Sequence, residues 1–159
     1  MHFTIVCIGK LKEKYLRDGV EEFVKRMRVY GGITIVELNE SKMGDKAGNT
    51  ERQQAVIDEG KRLLKRIPSQ AYVVLLDVYG KTMSSEMLAT HISNLEVSGI
   101  SEMVFVIGGP FGVSEELRNT ANFKLSLSPM TFTHQMVRLL VVEQIYRTCK
   151  INRGEPYHW

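Results

Sequence analysis

The chain has 159 residues, of which 43% are hydrophobic and 25% charged, and its net charge is +3. That length suits a single domain, residues 1–159, with a real core, and excludes two ordinary ones. The composition is that of a soluble globular protein, and so small a positive charge permits an anionic partner without demanding one.

The first apolar run, FTIVCI at 3–8, is too short for a signal-peptide core or a membrane span, and no later run is long enough. The expectation is a cytoplasmic protein that begins on a strand and has no membrane partner. Cys7 and Cys149 stand far apart without a C-x-x-C pair. They indicate neither a metal site nor a disulfide framework, and read as small buried apolar groups.

Strand and helix signals then alternate. HFTIVCI (2–8) is β-branched and compact, and residues 11–30 switch to helical spacing. Leu11, Tyr15, Leu16, Phe23, Val24, Met27 and Tyr30 form the apolar stripe of that helix. ITIVEL (33–38) predicts a second strand, and the polar segment 39–52 a mobile loop. Thr50 and Gln53 have capping-box spacing for a helix running to Ile67, where Pro68 stops it.

YVVLLDV (72–78) has the continuous apolar character of a strand covered on both faces. A helix from Ser84 or Ser85 to Val97 follows, closed by Gly99. MVFVI (103–107), a short helix after Ser114, FKLSLS (123–128) and a long helix over 134–150 complete the series. The pattern predicts an α/β fold, a mainly parallel sheet of five to six strands with helices on both faces. Strand order is not readable from periodicity.

VFVIGGPFGVSEELR (104–118) has the strand–glycine–helix layout of a nucleotide loop. The dinucleotide fingerprint fails because Ile107 holds its first glycine position, and no Gly-Lys-Ser/Thr follows. Ser114 caps the next helix, and Glu115 and Glu116 fill the first turn, where they would repel a phosphate. Arg118 offsets them only in part. The loop suits a neutral or cationic ligand read by backbone groups, or is simply a tight turn.

LLDVYGKTMSSE (75–86) and LSLSPMTFTHQM (125–136) also follow strands, and ligands of parallel sheets sit outside those strand ends. The second combines Leu127, Met130 and Phe132 with Ser126, Ser128 and Thr131, which suits an adenine and a thioether or an ordinary packed loop.

LLDVYGK, VFVIGGPFG, LSLSPMTFTHQMVRLLVVEQIYR and the terminal RGEPYHW together resemble the small SPOUT-superfamily methyltransferases. Within them the chain is similar to the RlmH family, the 23S ribosomal RNA pseudouridine-N3 methyltransferases. The resemblance covers essentially the whole chain. It implies a C-terminal trefoil knot, an exception to ordinary chain connection, and an obligate homodimer with S-adenosylmethionine held in the knot. The family's site is pseudouridine 1915 of 23S ribosomal RNA, on the assembled ribosome.

Carried over by motif, the cofactor contacts are Leu76, Gly108, Leu127, Ser128, Pro129, Met130, Thr131 and Phe132. The chain departs from the family pattern at Thr133, where proline is common, at Phe111, and at Trp159, where a basic residue is usual.

Residues 10–28 hold seven basic residues against four acidic ones. Lys10, Lys14, Arg17, Lys25 and Arg28 follow one helical side, either a phosphate-binding face or a solvated face with pairs such as Glu21–Lys25. KRLLKR (61–66) has the same ambiguity.

The helix 134–150 is apolar around most of its circumference and must be buried, in the core or against a partner. Glu143 and Arg147 have pairing distance in sequence, and His134 and Arg138 share a face near the proposed cofactor loop. The tail NRGEPYHW (152–159) offers aromatics and an arginine to RNA. In a dimer one tail would complete the other subunit's site.

The candidate catalytic residues are His134, Arg138, Tyr157 and His158. His158, His134 or a water would take the N3 proton, and Arg138 would stabilise the anion. No metal motif is present. The rival readings are another nucleotide-dependent α/β enzyme and a non-catalytic RNA-binding dimer.

Overall fold

A computed structural model describes residues 1–157. In chain order the elements are β1 (His2–Ile8), α1 (Lys14–Arg26) with one 3-10 turn (Met27–Tyr30), β2 (Ile33–Leu38) and α2 (Asn49–Leu64). They continue with β3 (Tyr72–Thr82), α3 (Ser85–Val97), β4 (Glu102–Ile107), α4 (Glu115–Thr120), β5 (Phe123–Ser126) and α5 (His134–Asn152). The five strands form one all-parallel sheet in the order β2-β1-β4-β3-β5.

Alternation along the inner strands divides the core into two layers. Phe3, Ile5 and Cys7 of β1, with Met103, Phe105 and Ile107 of β4, pack against α1, α3 and α5. Val6, Ile8, Val104 and Val106 point the other way, onto Leu63 of α2 and Leu117 of α4. The strands are apolar on both faces because helices cover both. Helix α5 packs against both α1 and α3. It buries Val141, Val142 and Ile145 and leaves most of its other side chains only half-buried.

Several boundaries differ from the sequence reading. Helix α1 starts at Lys14, because residues 9–13 are held by side chains from other elements, and Tyr15 of the expected stripe is exposed. Helix α2 starts at Asn49, after Gly48, so Thr50 lies inside the first turn and the expected capping box does not form. It ends at Leu64 rather than Ile67.

The start of the loop before α2 is tied down. Arg62 Nη1 donates to Asn39 O at 2.6 Å, and the Ser41 amide donates to Glu59 Oε2 at 3.0 Å.

Strand β3 is longer than expected and broken. Leu125 of β5 faces both Leu76 and Lys81, so residues 77–80 loop out of the ladder. A Cβ on Gly80 would lie 2.6 Å from Lys124 O, so only glycine lets the returning chain pass β5 this closely. That bulge delivers Asp77 to the C-terminal end of the sheet.

Candidate active site

The bulge within β3 and the segments that follow β4 and β5 converge with the N-termini of α1 and α5 around a cavity of about 900 Å³. Of the expected cofactor residues, Leu76, Gly108, Leu127, Ser128, Met130, Thr131 and Phe132 line it. Pro129 does not reach its wall. His134 lines the cavity; Arg138 and Tyr157 do not. His158, like Trp159, lies outside the described residues.

The glycine loop is closed by its own packing. A Cβ on Gly108 would fall 2.5 Å from Val113 Cγ1, and one on Gly109 would lie 3.1 Å from Glu59 Oε1. Gly112 takes a φ of +94°, and its amide donates to Gly109 O at 3.2 Å. The glycines are therefore required first by the turn itself, the second of the two readings the sequence left open. Phe111 is half-open, with the Arg52 guanidinium 5.0 Å from its ring centre.

Ser114 Oγ accepts from the Leu117 amide at 3.2 Å, capping α4 as expected, and Glu115 and Glu116 occupy its first turn. That helix end is already supplied with negative charge.

One charged pair in the wall escaped the sequence reading, which took Arg118 only as a partial offset to Glu115 and Glu116. Asp77 and Arg118 both line the cavity and pair directly, and Asp77 Oδ1 also accepts from the Tyr79 amide at 3.0 Å. The pair ties the β3 bulge to α4. Its sequence signal was slight: one carboxylate ending an apolar run.

His134 stands at the α5 N-terminus, where Thr133 Oγ1 accepts from the Met136 amide at 3.3 Å. Burial pushes its pKa below the ordinary imidazole value, with Arg138 and Lys12 adding to the effect and Glu40 opposing it. Glu40 Oε1 is 3.7 Å from His134 Nε2, which has no hydrogen-bond partner among the described residues. At neutral pH the ring is uncharged and able to accept a proton.

Arg138, one turn further along the same face of α5, is fully buried. Its Nη1 donates to Glu37 Oε2 at 2.6 Å, and its Nη2 to Gly9 O at 2.9 Å and Ile8 O at 3.4 Å. So enclosed a group fixes the end of β1, and its placement does not bring it to a substrate anion in the cavity.

The tail is docked as far as it is described. Arg153 stacks 4.5 Å from the Tyr30 ring centre, Arg147 pairs with Glu143 and donates to Tyr157 O, and the Tyr157 hydroxyl donates to Glu86 Oε1 at 3.4 Å. Tyr157 thus lies against the start of α3.

Burial pushes both cysteine thiols up to about 11, so neither is a nucleophile. Among the described residues no group of metal-ligating side chains gathers, and no helix is long and apolar enough to cross a membrane.

Comparison with known proteins places the chain among methyltransferases. The family described as "Predicted SPOUT methyltransferase" covers residues 1–158. The ribosomal RNA large subunit methyltransferase H of Clostridium novyi is 48% identical, and that of Halothermothrix orenii 44% identical, each over 99% of both chains. The protein of the same name from Acetivibrio thermocellus is 46% identical over 99% of both chains. The chain therefore belongs to the SPOUT methyltransferases, in the ribosomal RNA large subunit methyltransferase H family.

Proposed function

We propose that this enzyme transfers the methyl group of S-adenosylmethionine to N3 of a pseudouridine in 23S ribosomal RNA, at the family site 1915, and that it acts as a homodimer. The observation that carries the reading is the cavity itself. Three strand-end loops wall it with apolar groups and hydroxyls, and Glu115 and Glu116 sit where a phosphate loop would need free positive charge. Leu127, Met130 and Phe132 suit an adenine and a thioether, Ser128 and Thr131 offer hydroxyls, and Asp77 and Glu13 add carboxylates compatible with a cationic ligand.

When bound, S-adenosylmethionine supplies an electrophilic methyl on a sulfonium. Leu76, Gly108, Leu127, Ser128, Met130, Thr131 and Phe132 would hold it, and it would supply a methyl for direct displacement by N3, the C–S electrons staying on sulfur. The protein's contribution is mainly orientation, holding N3 in line at ~3 Å from the methyl carbon. The proton on N3 passes to His134 in its neutral form, to His158, or to a water that either one orients.

Arg138 acts as a positioning residue, through Glu37 and the end of β1. Tyr157 lies away from the cavity of its own chain. A second copy, whose tail reaches this cavity, is therefore part of the proposal.

The test is mass spectrometry of ribosomal RNA from cells lacking the protein, beside calorimetry with S-adenosylmethionine, NAD and ATP. One pseudouridine should lose its N3 methyl, and only S-adenosylmethionine should bind. An unchanged modification profile overturns the function. Wild-type methylation by the His134→Ala/His158→Ala double variant overturns the proton-acceptor assignment.

A further inference from the structure

The cavity has one wall that the cofactor loops do not supply. It is formed by Glu13, Tyr15 and Leu16 at the start of α1, with Gln135 of α5 beside it. Leu16 is buried and anchors the helix, but Tyr15 is 64% exposed although it lines the cavity. The fold does not need that ring, since α1 is seated through Leu16 and Val20.

The segment that presents it is held with unusual care for an irregular stretch. Gly9 O accepts from Arg138 at 2.9 Å, the Leu11 amide donates to Glu37 Oε2 at 3.3 Å, and the Lys12 amide donates to Gln135 Oε1 at 3.1 Å. Arg17 Nη1 donates to the Leu11 and Lys12 carbonyls at 3.2 and 2.9 Å. Side chains from β2, α5 and α1 thus hold Gly9, Leu11 and Lys12 in a stretch that makes no regular structure. A rigidly presented, solvent-facing aromatic at a cavity mouth is a stacking surface.

Gln135 adds a polar reader. Its Oε1 is taken by the Lys12 amide, which leaves its Nε2 hydrogens to donate. A cavity of about 900 Å³ is at the large end of sites that take one small molecule, so a bound cofactor leaves room for a base. Lys10, Lys12, Lys14 and Arg17 crowd the same segment and favour the approach of a phosphate backbone.

We propose that Tyr15 and Gln135 form the target-base subsite: the Tyr15 ring stacks on the flipped-out pyrimidine, and Gln135 Nε2 donates to one of its carbonyl oxygens. Arg138 and Glu37 hold this wall as positioning residues. The proposal rests on the reading of the substrate as RNA and adds the residues that receive its base.

The experiment compares wild type, Tyr15→Ala and Tyr15→Phe. For each it measures S-adenosylmethionine affinity, kcat/KM on ribosomes, Tm, and affinity for a synthetic RNA hairpin with one pseudouridine in its loop. Loss of one base stack lowers kcat/KM and hairpin affinity about 5- to 140-fold in Tyr15→Ala. Tyr15→Phe keeps the ring and stays within about threefold of wild type on the same scale. Cofactor affinity and Tm stay unchanged in both.

Wild-type turnover by Tyr15→Ala overturns the proposal, as does Tyr15→Phe performing no better than Tyr15→Ala. Loss of cofactor affinity in step with turnover overturns it too, by moving Tyr15 into the cofactor site. If wild type itself neither binds S-adenosylmethionine nor methylates, the proposed reaction fails. The hairpin titration then decides on Tyr15 separately: equal affinity of wild type and Tyr15→Ala overturns the subsite.

Discussion

Glu37→Gln removes the charge that faces Arg138 while keeping size and shape. The Arg138 guanidinium is fully buried, and Glu37 is its only salt-bridge partner among the described residues. Its remaining bonds go to the neutral carbonyls of Gly9 and Ile8. Breaking a fully buried pair from one side costs about 3–5 kcal/mol, against about 0–1 kcal/mol for an exposed pair. The Glu37 side chain is 37% open to solvent, so water replaces part of what is lost. The expected destabilisation is therefore intermediate, about 2–3 kcal/mol.

For a chain of this size that lowers Tm by about 4–12 °C. The assay is thermal unfolding by circular dichroism at one fixed protein concentration, because self-association shifts Tm. Arg138→Met removes the charge instead, and leaves the Gly9 carbonyl without its donor. The double variant should be no worse than the worse single one, a coupling of at least about 1 kcal/mol. The loss should also persist at about 1 M salt, where the Debye length is about 3 Å and surface pairs are screened. A loss below about 1 kcal/mol, or additive effects, would show that Arg138 does not depend on Glu37.

Gly108→Ala puts a methyl 2.5 Å from Val113 Cγ1, so the loop has to shift. It costs about 1–3 kcal/mol as overpacking and lowers cofactor affinity, measured by calorimetry, by at least about tenfold. Adding Val113→Ala removes the nearest atom and recovers part of both losses; wild-type affinity in Gly108→Ala alone refutes the packing argument. Glu59, buried behind the same loop, has its pKa raised by burial, with the Ser41 amide and Arg62 opposing. Its folded-state pKa lies above the unfolded value, so the native state binds the extra proton. Stability is full below the ordinary glutamate value of 4.5 and falls as pH rises through the raised one. Glu59→Gln keeps an acceptor for the Ser41 amide, so it should raise Tm at pH ~7 and lose that advantage near pH ~4. A variant less stable than wild type at neutral pH contradicts this.

Local signals in the sequence carried the elements, and non-local ones carried what they were for. Ser114 was legible as a cap, and the α3 start was legible to within a residue of its cap Ser84, because a hydroxyl three residues before an amide is a sequence-local device. Thr50 misled because Gly48 supplies the extended backbone two residues earlier, with no side-chain bond for a pattern to register. Arg138 stood out as a polar residue on an apolar helix, but its partner Glu37 is 101 positions away and nothing local names it. The Asp77–Arg118 pair is 41 positions apart and depends on the β3 bulge, which periodicity reads as uninterrupted strand. Strand order was invisible for the same reason. The three loops were picked out by their place after strands and assigned to a cofactor through family motifs, and only the fold shows that they line one cavity with Tyr15 and Gln135.

Thr133 stands where the family resemblance leads one to expect proline, and its backbone would accept one. Its backbone stands at φ −60° and ψ 146°, within the range that a proline ring would impose. Either residue therefore aims the chain from the 127–132 loop into α5 in the same direction. Threonine adds what proline lacks, a hydroxyl that accepts from the Met136 amide. That bond satisfies one of the helix's unpaired donors beside His134. Threonine here thus combines a backbone angle that proline would preset with a side-chain cap that proline could not supply, at the junction that carries His134.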